Sequence, residues 1–156
     1  MFLGAVPIDF CTVMNEICTL NIGKLYQDGI RKIGIVFNTD PSTKSGKHWI
    51  SMFVNLNRRT INFFDSYAVC PPPNQVLRLI NHVKSFSKVI YGRDNAFTVN
   101  CNNIKHQFAN SECGVYSIYF LTESLKNRTF QDITMNIKRD EEMNQYRQIY
   151  FTQQKR

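Results

Sequence analysis

The chain has 156 residues, with 19 Lys and Arg against 12 Asp and Glu, for a formal net charge of +7. At 43% hydrophobic, 13% aromatic and 20% charged residues, it is not a disordered chain, a collagen-like repeat or a coiled coil, and its length suits one domain with its own core. No apolar run approaches the roughly 20 residues of a membrane span, and the apolar start MFLGAVPIDFC lacks a preceding basic segment and is broken by Asp9, which argues against a signal peptide.

In chain order, Glu16 to Asp28 has mixed spacing and stops at Gly29, which predicts a short helix. Lys32 to Phe37 (KIGIVF) is a buried-strand run rich in β-branched residues. The polar stretch Asn38 to Lys47 is a loop with Pro, Ser and Gly. His48 to Leu56 and Thr60 to Phe64 read as two strands joined by a hairpin turn at Asn57-Arg58-Arg59. A Pro-rich loop follows at Ala68 to Pro73. In the helix predicted over Asn74 to Phe86, Val76, Leu77, Ile80 and Val83 fall on one face and Asn74 is the expected cap. Phe97 to Val99 is a short strand, Cys113 to Leu125 a strongly apolar helix fit for the centre of the core, and Asp140 to Tyr150 a polar terminal helix. Strands in the middle with helices on both sides make the fold α+β.

The positive charge is scattered in pairs such as Arg31-Lys32, Arg58-Arg59 and Lys138-Arg139. It reads first as a basic solvated surface, with attraction to nucleic acid as the second reading. Cys11, Cys18, Cys70, Cys101 and Cys113 are odd in number and form no Cys-x-x-Cys. With no secretory context, they are expected to be reduced thiols in a cytosol-like compartment. Cysteines and histidines show no paired ligand spacing, so no metal is expected.

Four residues carry chemistry. His48 opens one strand of the hairpin and Asp65 closes the other, so both lie near the same end, where a carboxylate can orient an imidazole and stabilise its charged form. The competing reading is a surface histidine beside a strand-ending Asp. Cys113 opens the apolar helix, where the positive end of the helix dipole favours a thiolate, and Gly114 removes bulk where a substrate backbone approaches. The competing reading is a buried structural cysteine. Gln107, shortly before Cys113, is a candidate side-chain donor to a developing oxyanion, beside the Cys113 main-chain N–H. His106 sits beside Gln107 without a strand or a following Asp, and His82 is expected on a helix surface.

The order His48, Asp65, Gln107, Cys113, in the stretches GKHWISMFVNL, TINFFDSY and HQFANSECGVYSIYF, resembles the cysteine proteases that process ubiquitin-like proteins and their adenovirus-protease relatives. VPIDF, KIGIVFNTD, the Pro-rich loop and RDEEMNQYRQIYF are similar to the branch found in large DNA viruses, so the resemblance runs from about Val6 to Phe151. It implies a papain-like α+β core with a central mixed sheet and the nucleophile at the start of a buried helix. Cys113 matches the nucleophile, His48 the base, Asp65 the residue that orients it and Gln107 the oxyanion donor. Trp49 matches the residue that narrows a channel over the substrate. The channel implies cleavage after glycine, at Gly-Gly-X or Ala-Gly-X sites of viral structural polyproteins during virion maturation. Removal of SUMO or ubiquitin-like modifiers is the alternative, and a non-catalytic binding module for such proteins is a third reading. The resemblance further implies a single catalytic domain over 1–156 without the N-terminal extension of longer relatives: a minimal form, a fragment, or a domain dependent on another protein. It also implies a monomer without metal or small cofactor, DNA or a peptide as conceivable activators, no membrane, and a place in the virion and host cytoplasm or otherwise inside the cell.

Overall fold

The computed structural model describes residues 1–151. The predicted single domain over 1–156 includes 152–156, which lie outside the described residues.

One five-stranded mixed sheet organises the molecule, in the order β1 (Phe2–Pro7), β2 (Lys32–Asn38), β3 (Trp49–Asn55), β4 (Thr60–Phe64), β5 (Thr98–Cys101). The three central strands pair antiparallel, and the two outer strands add parallel to β2 and β4. Side chains alternate faces along each strand. On one face, Ile33, Ile35, Phe37, Ile50, Met52, Val54, Ile61 and Phe63 pack with Val76, Leu79, Ile80 and Val83 of a helix over Asn74–Ser85. On the other, Val36, Phe53 and Phe64 meet the helix Cys113–Leu125. Nearly every strand residue of β2, β3 and β4 is therefore buried, which explains the continuous apolar reading of these strands.

Eight helices complete the described residues: α1 (Phe10–Val13), α2 (Asn15–Cys18), α3 (Ile22–Gln27), α4 (Asn74–Ser85), α5 (Ser87–Tyr91), α6 (Cys113–Leu125), α7 (Phe130–Met135) and α8 (Asp140–Tyr150). α6 is the central helix: Phe120 is fully buried, stacked on Phe64 with ring centroids 5.0 Å apart. α7 and α8 pack on it, through Ile133 and Met143 in the same cluster.

The α+β class and the central mixed sheet agree with expectation. The differences have local causes. The single helix expected over Glu16 to Asp28 is split, because Asn21 caps a new start by accepting from Lys24 N at 2.8 Å. α4 begins after Pro73, so Asn74 is its first residue and not its cap. β5 runs two residues further than the predicted Phe97–Val99, to Cys101, and β1 is an additional strand. His82 is half-buried, its Nε2 2.8 Å from the Leu20 carbonyl. The expectation of reduced thiols is corrected: Cys11 pairs with Cys18 and Cys70 with Cys101, and Cys113 alone is free. The fold brings the paired Cα atoms to 5.5 and 6.3 Å, within bridging range, which their spacing along the chain did not reveal.

Candidate active site

The antiparallel register places Ser51 opposite Phe64. Two residues further out on each strand, the chain leaves the sheet at His48–Trp49 on one side and Asp65–Ser66 on the other. The two ends meet: His48 Nε2 and Asp65 Oδ1 are 2.7 Å apart, with only 15% and 5% of the side chains exposed. α6 runs against β3 and begins at Cys113, whose thiol lies at the same end of the sheet, buried and facing His48.

The roles of the two ring nitrogens follow. Nε2–H donates to Asp65, which leaves Nδ1 to meet the thiol. Burial of the ring opposes its charge, but Asp65 and Cys113 outweigh that and raise His48 to about 9. Burial likewise pushes the Cys113 thiol up, and His48 together with main-chain groups of Trp49 and Gly114 brings it below its ordinary value. Lowering the acid and raising the base favours a thiolate–imidazolium pair. The acidic neighbour Glu112 is buried, and its carboxylate is held by the Ser111 main-chain N–H at 3.1 Å and by the Ser111 hydroxyl.

Asp65 is fixed by several groups. Its Oδ1 accepts from Tyr67 N at 2.8 Å. Its main chain is clamped by the buried Asn102, whose Oδ1 accepts from Asp65 N at 2.9 Å and whose Nδ2 donates to Asp65 O at 2.7 Å. The Tyr67 ring stacks on the His48 ring, centroids 4.6 Å apart and planes 22° from parallel. Neither Asn102 nor Tyr67 stood out in the sequence, although Tyr67 follows Asp65 by only two residues.

Gln107 is wholly buried. Its Oε1 accepts from the Ser66 hydroxyl at 2.7 Å and its Nε2 donates to the Ala109 carbonyl at 2.9 Å, so the amide orientation is fixed and one N–H is left over. The main-chain N–H groups of His106 and Gln107 both donate to the Ser66 carbonyl, at 2.9 and 3.0 Å. α8 holds the rest of this loop: Asp140 Oδ2 accepts from Phe108 N and Ala109 N at 2.9 and 2.8 Å, and Arg147 donates to the Ser111 carbonyl at 2.7 Å. His106 is buried, its Nε2 3.0 Å from the Thr134 carbonyl. Trp49 and Gly114 are adjacent: a Cβ on Gly114 would stand 3.7 Å from the Trp49 ring. All six singled-out residues thus border one end of the sheet. Among the described residues, no group of three or more His, Cys, Asp or Glu side chains is placed to hold a metal ion.

A mixed sheet crossed by a buried helix that starts at a thiol, with an imidazole and carboxylate across from it, defines the class of the cysteine peptidases. Comparison with known proteins agrees. The model of the Ulp1 protease family C-terminal catalytic domain matches residues 31–156. The chain is 35% identical over 156 residues to the putative thiol protease R355 of Acanthamoeba polyphaga mimivirus, covering 98% of this chain and 50% of that protein. It is 33% identical over 131 residues to the SUMO-1 cysteine protease S273R of African swine fever virus, covering 83% and 47%. The crystal structure of that virus's pS273R protease superposes with a TM-score of 0.77 at 26% identity, over 92% of this chain and 56% of that one. ChlaDub1 from Chlamydia trachomatis shares the fold, with a TM-score of 0.61 at 16% identity, over 90% and 78%. The chain belongs to the Ulp1 protease family. It spans about half the length of the curated relatives it matches.

Proposed function

We propose that this chain is the catalytic domain of a cysteine endopeptidase that cuts after glycine and processes viral structural or core polyproteins during virion maturation. The observation that carries the reading is the buried Cys113 thiol facing an imidazole whose other nitrogen is bound by Asp65 at 2.7 Å. Cys113 Sγ attacks the scissile carbonyl carbon, and the oxygen gains the negative charge. The Cys113 main-chain N–H and the remaining Gln107 amide N–H receive that charge. The C–N bond then breaks, the His48 imidazolium gives its proton to the departing amine, and a thioester is left on Cys113. Water, deprotonated by His48, hydrolyses the thioester and restores the thiol.

Preference for glycine is supported by Trp49 lying against Gly114, next to the nucleophile. A side chain just before the cut meets the indole, whereas glycine passes. The viral origin of the two relatives supports a viral substrate. The African swine fever virus relative is named a SUMO-1 cysteine protease, which favours a second reading with the same chemistry: release of a ubiquitin-like modifier ending in Gly-Gly. The high net charge supports DNA as an activator of the maturation enzyme, working in the virion and host cytoplasm.

The test is cleavage of fluorogenic peptides ending in Gly-Gly or Ala-Gly before the reporter, beside a SUMO or ubiquitin conjugate of the same reporter, with Cys113→Ser as control. Turnover of the peptides without modifier preference is expected. Turnover of the conjugates alone replaces the first reading with the second. Silence from all substrates, with and without DNA, refutes both in favour of a binding module.

A further inference from the structure

At the opposite end of β3 and β4 from Cys113, between the sheet and the last turn of α6, lies a cavity of about 200 Å³. It is lined by Asn55, Arg58, Asn62, Ser124 and Arg128, among others, and no carboxylate is in its wall. Asn55 and Asn62 are buried and present mainly donors. Asn55 Oδ1 already accepts from Arg58 N at 3.0 Å, and Asn62 Oδ1 from Asn100 Nδ2 at 2.7 Å. The amide N–H groups of both are left without a protein partner among the described residues. Ser124 is 4% exposed, and its buried hydroxyl likewise has no partner among the described residues. A buried hydroxyl in that state needs an explanation. Arg128 is neutralised by Glu123 at 2.8 Å. The Arg58 guanidinium has no carboxylate partner among the described residues, so the wall carries one uncompensated positive charge.

We propose that this cavity is a second binding site, for a small oxyanion of the phosphate or carboxylate type, held by Arg58, the Asn55 and Asn62 amides and the Ser124 hydroxyl. Donors without acceptors and a cation without a counter-charge define a ligand that is negative and rich in acceptors. A cation would meet Arg58, and an apolar group would leave Ser124 and both amides unsatisfied. At about 3.3 Å per strand residue, the site lies roughly 20 Å from His48, so its occupant takes no part in peptide cleavage. The proposal is therefore independent of the proteolytic reading.

The test is isothermal titration of the full chain with inorganic phosphate and, separately, with malonate, ionic strength being held constant with chloride. Saturable one-site binding of either is expected, and the tighter of the two names the ligand's charged group. Arg58→Gln, an exposed position whose exchange leaves the thermal midpoint in place, weakens that binding by about tenfold or more, the loss of a hydrogen bond to a charged group. Ser124→Ala weakens it several-fold. Absence of saturable binding by both anions, or undiminished binding by Arg58→Gln, overturns the proposal.

Discussion

Asp65→Asn changes one charge at the active site and little of its shape. The new amide oxygen stands where Asp65 Oδ1 stood and still accepts from His48 Nε2–H and Tyr67 N–H. The imidazole keeps its tautomer, with Nδ1 turned to Cys113, and only the negative charge beside the ring is lost. His48 titrates at about 9 instead of 6.5 although burial acts against it. That rise is worth about 3 kcal/mol, divided between Asp65 and Cys113. With half or more from Asp65, the substitution removes at least about 1.5 kcal/mol of support for the imidazolium, a factor of ten or more. The raised pKa means the imidazolium is complete below 6.5 and is lost as pH climbs through about 9, so the alkaline limb of activity reports it. Hydrolysis of a glycine-terminated peptide by Asp65→Asn is expected to show kcat/KM down about 10- to 100-fold at pH 7, with the alkaline limb moved from about 9 towards 6.5. Asp65→Ala loses the hydrogen bonds as well and falls further. Activity within twofold of the parent with the alkaline limb still near 9 would refute the reasoning and remove Asp65 from the mechanism.

The lowered thiol pKa makes iodoacetamide alkylation of Cys113 fast below the ordinary thiol value of 9, and His48→Ala returns it towards slow, normal behaviour; mass spectrometry at pH 6 and 8 reads both. Tyr67→Phe keeps the stack on His48 and is expected to retain most activity. Tyr67→Leu loses the aromatic face over the imidazolium and lowers the alkaline limb, at a cost of about 1 kcal/mol that a pH–rate profile detects. Phe120→Ala empties a fully buried site between Phe64 and Phe130 and is expected to destabilise the fold by about 3–5 kcal/mol in urea unfolding.

The parts of the molecule that were legible in the sequence are those fixed by short-range pattern. β2, β3, β4 and α6 follow their apolar runs to within a residue or so, because both faces of the sheet are covered and α6 is buried nearly all round, and the polar α8 keeps its predicted bounds. His48 and Asp65 were predictable as a pair because a hairpin's register sets which residues share an end. β1 was not, since its pairing with β2 is parallel and spans a long separation. The disulfides were hidden for the same reason: seven and 31 residues of separation say nothing of 5.5 and 6.3 Å in space. Ser66, Tyr67, Asn102 and Asp140 are ordinary polar residues whose importance comes from the groups they meet. The signals available for them were weak: adjacency to Asp65 for the first two, and a first-turn acid on α8 for the last.

Asp140 also bears on when the site is completed during synthesis. His48, Asp65, Gln107 and Cys113 all precede it in the chain, and translation delivers them first. Until α8 emerges, Phe108 N and Ala109 N have no Asp140 to donate to, and the Ser111 carbonyl has no Arg147. The loop that carries Gln107 is then held through Ser66, Tyr67, Tyr116 and Thr134, without its two ties to α8. A nascent chain thus holds His48 and Cys113 before the α8 anchors of the Gln107 loop exist. The frame of the site is complete only once α8 has emerged, and chains interrupted before α8 hold these side chains without it.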